Sequence, residues 1–572
     1  MVAIVDNEWW KDLDLNYVGE NNFASFFSSE GNIHTYPAKA VPDMILSLLK
    51  KLKEQYGINK VLDPFMGSGT VALEARYLGL DFYGSDLNPL SILLSRTKAL
   101  TVNNAADVEK ALINFAEKLI ITYTDHKLVD LVFFEKINFW FKSKNIQELS
   151  FIKAQSHKFL ASCSKKNRET YALILLTAFS STIRESSLTR NSEFKLYRMS
   201  PNDVEKFEID SLLVFKEKVS NLMSMLAEAN KDSYNKALTE IKMQNAKDLS
   251  VFYNKKIDLI LTSPPYGDSQ STVAYGEFSK LSLQWSKDLL AKYLDIRTEA
   301  ENVDEHLLGG KKSLSSISLR MILRRSNTFK ELFKTMREVC KIDIKDLVNA
   351  KISLNILQDN IKKGLFEYQY FEENNIVFEL LKERTRLEYF RKLNAETTLK
   401  NRDVKKSAIS RRDEFFEQLR QEPQNEMLLD EILNRIPSVR ETINRRIKAI
   451  PRRIKSVLHF FRELYLVVEQ TDKVLDDQGI QAWIVGHRTI LGSITVDMAG
   501  ILNDWFVYLG YDKITTLHRQ YSFKRLPHHI NSTITRKNEI KTMMQEHIIV
   551  VRKNASKDNA IIKAERSEED LC

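Results

Sequence analysis

The stretch Lys60-Val-Leu-Asp-Pro-Phe-Met-Gly-Ser-Gly-Thr70 decides the fold of this 572-residue chain. Its first residues predict a short apolar strand, the glycines predict a loop, and Val71 to Leu78 predicts a helix behind that loop. The next stretch, Asp81-Phe-Tyr-Gly-Ser-Asp86, predicts a second strand that ends in an acidic residue. Strand, glycine loop, helix and strand in this order predict a doubly wound, mostly parallel α/β sheet, with its ligand site at the carboxyl ends of the strands.

The glycine loop has the composition expected of a site that binds a nucleoside-containing ligand without phosphate groups. Gly67 and Gly69 let the backbone approach a ligand closely, and the helix behind them offers unpaired N–H groups. The loop lacks the lysine with which a phosphate-binding loop neutralises its ligand, which argues against a nucleoside triphosphate. Asp86 ends the next strand, where a carboxylate can accept both hydroxyls of a ribose. Since Asp63 would also favour a cationic group such as a sulfonium, the loop predicts an adenosine-containing cofactor.

A second candidate site follows the apolar run Ile257–Leu261, where the sequence continues Thr262-Ser-Pro-Pro-Tyr266. Two prolines remove N–H donors and stiffen the loop, so that the Ser263 hydroxyl and the Pro264 carbonyl can act as acceptors. Such acceptors can hold the two N–H groups of an amino group on a base, and the ring of Tyr266 offers a flat face for that base. A Pro-Pro turn alone is more often only a turn, so this loop gains its meaning from its combination with the glycine loop.

The rest of the chain divides into helical stretches and a final alternation of strands and helices. Apolar residues at steps of three and four predict helices over 101–240 and again over 267–455, where charged residues are frequent. A helix over Phe460–Asp476 and strands at Ala482–Gly486 and Glu546–Val551 are expected to complete the sheet. The expected domains are the first catalytic part with the cofactor loop (1–100), a helical insertion (101–240), the base-binding loop (241–285), a helical basic target-recognition module (286–455), the completed catalytic fold (456–553) and a polar tail (554–572).

The two loops together resemble motifs I and IV of the amino-group DNA methyltransferases of restriction-modification systems. Asp63–Thr70 is similar to motif I and Thr262–Tyr266 to motif IV, whose Ser-Pro-Pro-Tyr form is most like the cytosine-N4 branch. The adenine-N6 enzymes more often carry an acidic residue or Asn where Ser263 stands. His34–Lys39 resembles motif X, which closes over the methionine end of the cofactor. Two later segments, Gln481–Thr489 and Phe523–Pro527, resemble the family's later motifs, which form the wall of the base pocket.

The resemblance implies a Rossmann-like fold, S-adenosyl-L-methionine as the cofactor and a set of residues that bind it. Asp248 lies where the family places a residue that contacts the cofactor adenine. The implied cofactor-binding residues are Tyr36, Pro37, Asp63, Phe65, Gly67, Gly69, Thr70, Asp86 and Asp248. The implied catalytic residues are Ser263, Pro264, Pro265 and Tyr266.

The charge of the chain suits a polyanionic partner. Lysine and arginine number 85 against 76 acidic residues, which gives a net charge of +9. Solvated helix faces would explain any one basic cluster taken alone. Within the basic module, contacts with DNA are predicted for Arg445, Arg446, Arg452 and Arg453. A second cluster consists of Lys311, Lys312, Arg320, Arg324 and Arg325.

Cysteine, histidine and apolar residues disfavour several other classes. Cys163, Cys340 and Cys572 form no CxxC pair, which argues against a disulfide framework and a zinc ribbon. None lies beside a proline in a loop, which disfavours methylation of cytosine C5 through a cysteine nucleophile. The ten histidines match no usual metal set, so no metal is expected. No apolar run approaches the ~20 residues that span a bilayer and the N terminus does not resemble a secretory signal, so we expect a cytoplasmic protein without membrane contact.

These features together favour methyl transfer to the exocyclic N4 of cytosine in double-stranded DNA, by base flipping and direct attack without a covalent enzyme intermediate. Adenine N6 stays open as the alternative, because both bases present an amino group beside a ring nitrogen. A methyltransferase of RNA or protein, or a catalytically silent DNA-binding protein, agrees less well with the basic module and the two intact motifs. The expected partners are double-stranded DNA and a cognate restriction endonuclease or other defence subunits.

Overall fold

A seven-stranded sheet forms the centre of the chain in the computed structural model. The structure describes residues 8–13, 15, 34–37, 40–102, 104–123, 130–190, 195–229, 237–267, 274–298, 303–310, 317–373, 375–396, 401–491, 493–520, 529–530, 540–541 and 545–554. The strands are β1 (Lys60–Asp63), β2 (Asp81–Asp86), β3 (Thr239–Met243), β4 (Ile257–Thr262), β5 (Leu475–Gly486), β6 (Arg488–Ile490), β7 (Ile494–Val496), β8 (Tyr511–Gln520), β9 (His529–Ile530), β10 (Ile540–Lys541) and β11 (Gln545–Lys553). The sheet order is β3-β2-β1-β4-β5-β11-β8; the pairs from β3 to β5 are parallel, and β11 is antiparallel to both neighbours.

Helices cover both faces of this sheet, which confirms the predicted Rossmann-like α/β fold class. The helices are α1 (Pro42–Tyr56), α2 (Thr70–Tyr77), α3 (Pro89–Lys98), α4 (Ala105–Thr122), α5 (Ile137–Trp140), α6 (Ser143–Ser162), α7 (Lys165–Glu185), α8 (Pro201–Lys206), α9 (Ser211–Ala229), α10 (Tyr275–Leu294), α11 (Leu319–Arg324), α12 (Asn327–Lys362), α13 (Tyr368–Glu373), α14 (Asn375–Glu396), α15 (Asn401–Gln421), α16 (Glu426–Val474) and α17 (Met498–Tyr508).

The central strands are apolar because both of their faces are buried. In β1, Val61 joins the hydrophobic core on one face and Leu62 joins the core on the other. In β5, Ile484 and Trp483 alternate in the same way. A parallel sheet that is covered on both sides requires such continuous apolar runs. The strand order reverses between β1 and β4, and this reversal leaves a cleft at the carboxyl ends of the two strands.

The helices between β2 and β3 share one hydrophobic core with the sheet. Leu149 of α6, Leu176 of α7 and Val219 of α9 are fully buried in the cluster that also contains Val61. Within this layer α7 packs against α3 and α10. The helical segment expected at 101–240 is therefore a layer on one face of the sheet rather than a separate body.

A further hydrophobic core lies in the helical segment between β4 and β5. The second half of α12, α14, α15 and the first half of α16 enclose buried residues such as Leu347, Leu381 and Ile443, and we call this part (residues 347–450) the helical module. The other halves of α12 and α16 cover the sheet, where the rings of Phe329 and Phe461 lie 5.0 Å apart. Two long helices thus run from the sheet layer into the helical module.

The helix predicted to begin at Phe460 is longer than expected, because α16 begins at Glu426 and continues through Pro437 and Pro451. Each proline removes one main-chain hydrogen bond, which normally favours a break. Here apolar residues at helical spacing along α16 are buried, many of them against α12, and this tertiary packing maintains the helix. The boundary expected between residues 455 and 456 accordingly falls inside one continuous helix.

The burial of Trp483 gives a test of the sheet packing. Its ring is fully buried against Phe506, and its Nε1 donates a hydrogen bond to Oε1 of Gln481 (2.8 Å). We expect Trp483→Ala to lower the free energy of unfolding by about 3–5 kcal/mol, because it leaves a large cavity. Urea denaturation followed by circular dichroism measures this loss. The exposed Val507→Ala on α17 is the control, with an expected change of about 0.5 kcal/mol or less. A similarly small loss for Trp483→Ala would contradict the packing.

Candidate active site

The glycine loop connects β1 to α2 and is shaped by two backbone conformations that favour glycine. Gly67 has φ 52° and Gly69 has φ 82°. A Cβ atom on Gly69 would lie 2.8 Å from the Ser95 hydroxyl oxygen, so a side chain there would displace α3. The same Ser95 hydroxyl donates a hydrogen bond to the Gly67 carbonyl (3.0 Å). The loop is therefore held tightly against α3, with its other side facing the cleft.

The cleft at the ends of β1, β2 and β4 contains a cavity whose empty volume, counted together with its opening to solvent, is about 950 Å³. It is lined by Tyr36, Ala40, Ile45, Asp63, Pro64, Phe65, Met66, Gly67, Ser68, Thr70, Val71, Asp86, Leu87, Asn88, Gln244, Asn245, Ala246, Ser263, Pro265, Tyr275, Leu307, Leu308 and Ile484. The cavity joins the predicted cofactor loop to the predicted base loop.

Two carboxyl groups are buried at the floor of the cavity. Asp86 accepts hydrogen bonds from the backbone N–H of Gly67 (3.0 Å) and of Asn88 (2.8 Å), and burial raises its pKa to about 6. Asp63 accepts from the Thr262 hydroxyl (2.6 Å) and from the Phe65 N–H (3.0 Å), and burial together with the charge of Asp86 raises its pKa to about 7.

This arrangement suits a ligand that carries a positive charge. Neither Asp63 nor Asp86 forms an ion pair with another described residue, and burial makes their negative charges costly. A cation bound nearby would offset that cost. The sulfonium and ammonium groups of S-adenosylmethionine meet this requirement, and the glycine loop leaves room for its backbone contacts. The residues present therefore fit the implied cofactor.

The motif X segment closes the cavity from the side of α3. The Tyr36 hydroxyl lies 2.6 Å from the Ser91 hydroxyl, and the amide of Asn88 donates to Tyr36 (3.3 Å) and to Ser279 (2.7 Å). Gly67 faces the Tyr36 ring. Asn88 was not predicted as a site residue, although its position before a proline at the start of a helix is typical of an N-cap. The last residues of the motif X resemblance, at 38–39, lie outside the described residues.

The base loop begins where β4 ends. Ser263 and Pro265 line the cavity, whereas Pro264, which is buried, and Tyr266, which is half-buried, are not among the lining residues. The Tyr266 hydroxyl lies 3.3 Å from the Ser263 hydroxyl and donates to Oε1 of Glu546 (3.2 Å). Of the later motifs, the segment 481–489 contributes Ile484 to the cavity wall, and 523–527 lies outside the described residues.

The position of Asp248 corrects one predicted contact. Its side chain is exposed, and hydrogen bonds from the Ser250 hydroxyl and from the Ser250 N–H (3.1 Å) keep its pKa below the usual range. The wall beside β3 is formed instead by Gln244, Asn245 and Ala246. The reason is that β3 ends at Met243, so the residues directly after it reach the cleft and Asp248 has already turned away. Pro37 and Gly69 also lie outside the lining, where Gly69 shapes the loop.

The predicted DNA-binding arginines on α16 differ in their surroundings. Arg445 and Arg452 are exposed, seven positions apart, on one face of the helix. Arg446 is half-buried and pairs with Glu383 of α14 (3.5 Å), and Arg453 is also half-buried. Arg445 and Arg452 are therefore the members of the cluster best placed to meet a partner.

The described residues contain no group of three or more His, Cys, Asp or Glu side chains arranged to hold a metal ion. None of the helices they form has the length and apolar character needed to cross a membrane.

The raised pKa values of Asp63 and Asp86 predict a pH dependence of cofactor binding. Both carboxyls are protonated in the free protein below their pKa of about 7 and about 6, whereas a bound cation favours the ionised forms. The affinity for S-adenosylmethionine should therefore fall as the pH drops from about 7.5 to about 5.5, by up to about tenfold per pH unit for each carboxyl. Calorimetric titration measures this slope, and Asp63→Asn should flatten it. The assignment fails if wild type binds equally well across this range.

Curated proteins of the kind expected from the two loops are similar to this chain. The type II methyltransferase M.MvaI of Kocuria varians is 35% identical over 297 residues, which are 49% of this chain and 61% of that protein. The type II methyltransferase M.BsoBI of Geobacillus stearothermophilus is 24% identical over 250 residues, which are 38% of this chain and 46% of that protein. The match thus spans about half of the length of these relatives. No solved structure matches the chain.

Residues 43–342 match the family model of the D12 class N6 adenine-specific DNA methyltransferases, and this range contains both the glycine loop and the Ser-Pro-Pro-Tyr loop. The cytosine-N4 target expected from Ser263 is therefore wrong, because the matching family is adenine-specific and agrees with the alternative target. Methyltransferases of this class depend on S-adenosylmethionine, which confirms the predicted cofactor. The match covers more than half of the 572 residues, and the chain belongs to the D12 class N6 adenine-specific DNA methyltransferase family.

Proposed function

We propose that this protein transfers the methyl group of S-adenosylmethionine to the exocyclic N6 amino group of adenine in double-stranded DNA. The observation that carries the proposal is the family match over residues 43–342, within which one cavity joins the glycine loop to Ser263 and Pro265. The relatives named as type II methyltransferases support a role as the modification enzyme of a restriction-modification system.

The chemistry that we propose depends on position rather than on a covalent enzyme intermediate. The bound cofactor supplies an electrophilic methyl group. The adenine leaves the DNA stack and enters the cavity, where the Ser263 hydroxyl and the Pro264 carbonyl accept hydrogen bonds from its amino group. These bonds draw the nitrogen lone pair out of conjugation with the ring and direct it towards the methyl group. The ring of Tyr266, the last residue of the base loop, is proposed to support the flipped base by contact with its face.

Two basic surfaces are proposed to hold the DNA backbone. The first is a groove between α11 and α12 that we call the basic groove, and its exposed cations outnumber its acidic residues. It is lined by Arg320, Leu323, Arg324, Asn327, Lys330, Glu331, Phe333, Lys334, Arg337, Glu338 and Lys341. The spacing of Lys330, Lys334, Arg337 and Lys341 places them along one face of α12. The second surface carries Arg445 and Arg452 on α16.

The two basic surfaces occupy neighbouring positions along α12 and α16, which run antiparallel to each other. Phe329 near the start of α12 contacts Phe461 near the end of α16, and Arg440 of α16 donates to Gln358 of α12 (2.7 Å). This register places the α12 part of the basic groove level with the segment of α16 around Arg452. We therefore propose that both surfaces and the helical module belong to the part of the protein that binds and reads DNA, with phosphate contacts supplying most of the non-specific affinity.

The identity of the methylated base tests the proposed target. DNA incubated with the protein and S-adenosylmethionine is digested to nucleosides and analysed by mass spectrometry. We expect N6-methyl-2′-deoxyadenosine, and Asp86→Ala prepared in parallel should give much less of it, because it binds the cofactor more weakly. N4-methyl-2′-deoxycytidine as the product would overturn the adenine target. A protein that binds the cofactor but methylates neither base in DNA that contains its recognition sequence would refute the proposed activity.

The salt dependence of DNA binding tests the basic groove. Replacement of Lys330, Lys334, Arg337 and Lys341 by Gln should weaken binding, and should flatten the dependence of log K on log salt by up to about 0.9 units per lost phosphate contact. Fluorescence anisotropy with a labelled duplex measures both effects. The matched control replaces four exposed lysines of the helices on the opposite face of the sheet, Lys118, Lys158, Lys165 and Lys166, by Gln. An unchanged slope in the groove variant, or an equal loss in the control, contradicts the assignment.

A further inference from the structure

A chain of hydrogen bonds continues from the base loop to the far strands of the sheet. It starts at the Ser263 hydroxyl, passes through the Tyr266 hydroxyl (3.3 Å) and ends at Oε1 of Glu546 on β11 (3.2 Å). Glu546 lies 280 positions after Tyr266 and belongs to neither loop motif. A side chain from β11 is therefore linked, through Tyr266, to the Ser263 hydroxyl that is proposed to hold the amino group of the base.

The carboxylate at the end of this chain is fixed in place. Nη1 of Arg519, the residue paired with Glu546 across β8 and β11, donates to the other carboxylate oxygen, Oε2 (2.9 Å). Nε of the same Arg519 donates to the Leu15 carbonyl (3.0 Å). Glu546 and Arg519 are both largely buried, with 6% and 9% of their surface exposed. A buried, charge-assisted pair of this kind holds its geometry better than an exposed one.

The number of available protons fixes which group donates in each hydrogen bond between Ser263, Tyr266 and Glu546. Tyr266 has a single hydroxyl proton, and burial together with the nearby Glu546 charge keeps the pKa of Tyr266 well above its usual range. That proton is donated to the Glu546 carboxylate, which can only accept. The Ser263 hydroxyl then donates to the Tyr266 oxygen, since the Tyr266 proton is already used. As a result, the lone pairs of the Ser263 oxygen are left to accept a hydrogen bond from a ligand.

We propose that Glu546 is a positioning residue that acts through Tyr266 to fix the Ser263 hydroxyl as a hydrogen-bond acceptor for the amino group of the target base. An ionised acidic side chain at the position of Ser263, one of the forms more frequent in the adenine-N6 enzymes, can only accept and needs no such orientation. A serine hydroxyl can donate as well as accept, so it needs a partner that takes its proton. This inference rests on the proposed methyl transfer to a base amino group.

A coupling experiment tests the role of Glu546. Tyr266→Phe keeps the ring but breaks the chain, and Glu546→Gln has an amide that can donate to Tyr266 and reverse the chain. Each variant should slow single-turnover methyl transfer by about 10- to 100-fold, while the Kd for cofactor and for DNA stay near the wild-type values. The Tm should fall for Glu546→Gln, which removes the charge that pairs with the buried Arg519, and the two Kd values show that the variant is folded. The double variant should be no slower than the slower single variant, because both changes break the same chain.

A change at Ser263 separates orientation from a structural role. Ser263→Asp places in the loop a carboxylate that can only accept and does not depend on Tyr266, so in this background Glu546→Gln should change the rate by less than about threefold. Equal slowing by Glu546→Gln in both backgrounds, or additive effects of Tyr266→Phe and Glu546→Gln, would overturn the proposal. Tyr293→Phe is the matched control: it removes a hydroxyl bonded to His157 (2.7 Å), about 27 Å along α10 from Tyr275, and should keep the wild-type rate.

The product of every variant is identified together with its rate, so that two kinds of failure can be told apart. Methylation of cytosine instead of adenine would refute the proposed target but leave the coupling between Glu546 and Ser263 measurable. Methylation of adenine at the wild-type rate by Glu546→Gln would refute the positioning role and leave the proposed function intact.

Discussion

The hydrogen bond from the Thr262 hydroxyl to Asp63 (2.6 Å) joins the carboxyl ends of β4 and β1, and both loops of the active site begin there. The strand order reverses between these two strands, so their ends border an open cleft. Asp63 starts the glycine loop, and Ser263 directly follows Thr262. Because this bond is buried, it fixes the spacing between the part of the cavity that suits the cofactor and the part that faces the base. A small shift at this point would misalign both loops at once.

The same cleft concentrates negative charge that the free protein does not neutralise. Asp63 and Asp86 have raised pKa values because burial penalises their ionised forms, and the charge of Asp86 further raises the pKa of Asp63. Such groups lower the stability of the free protein as the pH rises through their pKa values, and a cationic ligand reverses that effect. The two carboxyl groups thus contribute to the affinity for the cofactor and, when the cofactor is absent, lower the stability of the free protein. This relation explains why two carboxyl groups lie at the floor of the cavity.

The helices α12 and α16 connect the active-site layer to the helical module without a loop between them. Their aromatic contact at Phe329 and Phe461 belongs to the core that supports β4 and β5, while their other ends enclose the core of the module. Continuous helices transmit position well, because a helix bends little unless its hydrogen bonds are interrupted. Bends at Pro437 and Pro451 are opposed by the side chains packed around α16. The orientation of the basic surfaces relative to the cleft is therefore set by packed helices.

The sequence by itself determined β1, β2, β4, the two loops and the class of cofactor, because apolar runs that end in Gly or Pro restrict the backbone locally. It could not determine the contacts of Asn88 with Ser279 or of Tyr266 with Glu546, whose partners are 191 and 280 positions apart. The contact predicted between Asp248 and the cofactor was wrong, because the end of β3 depends on pairing with β2 rather than on local composition. It also gave too much weight to one serine in choosing the target base, which the family match over residues 43–342 corrected. Only the tertiary structure decided which residues share the cavity and how the long helices continue, because packing between distant segments outweighs local preference.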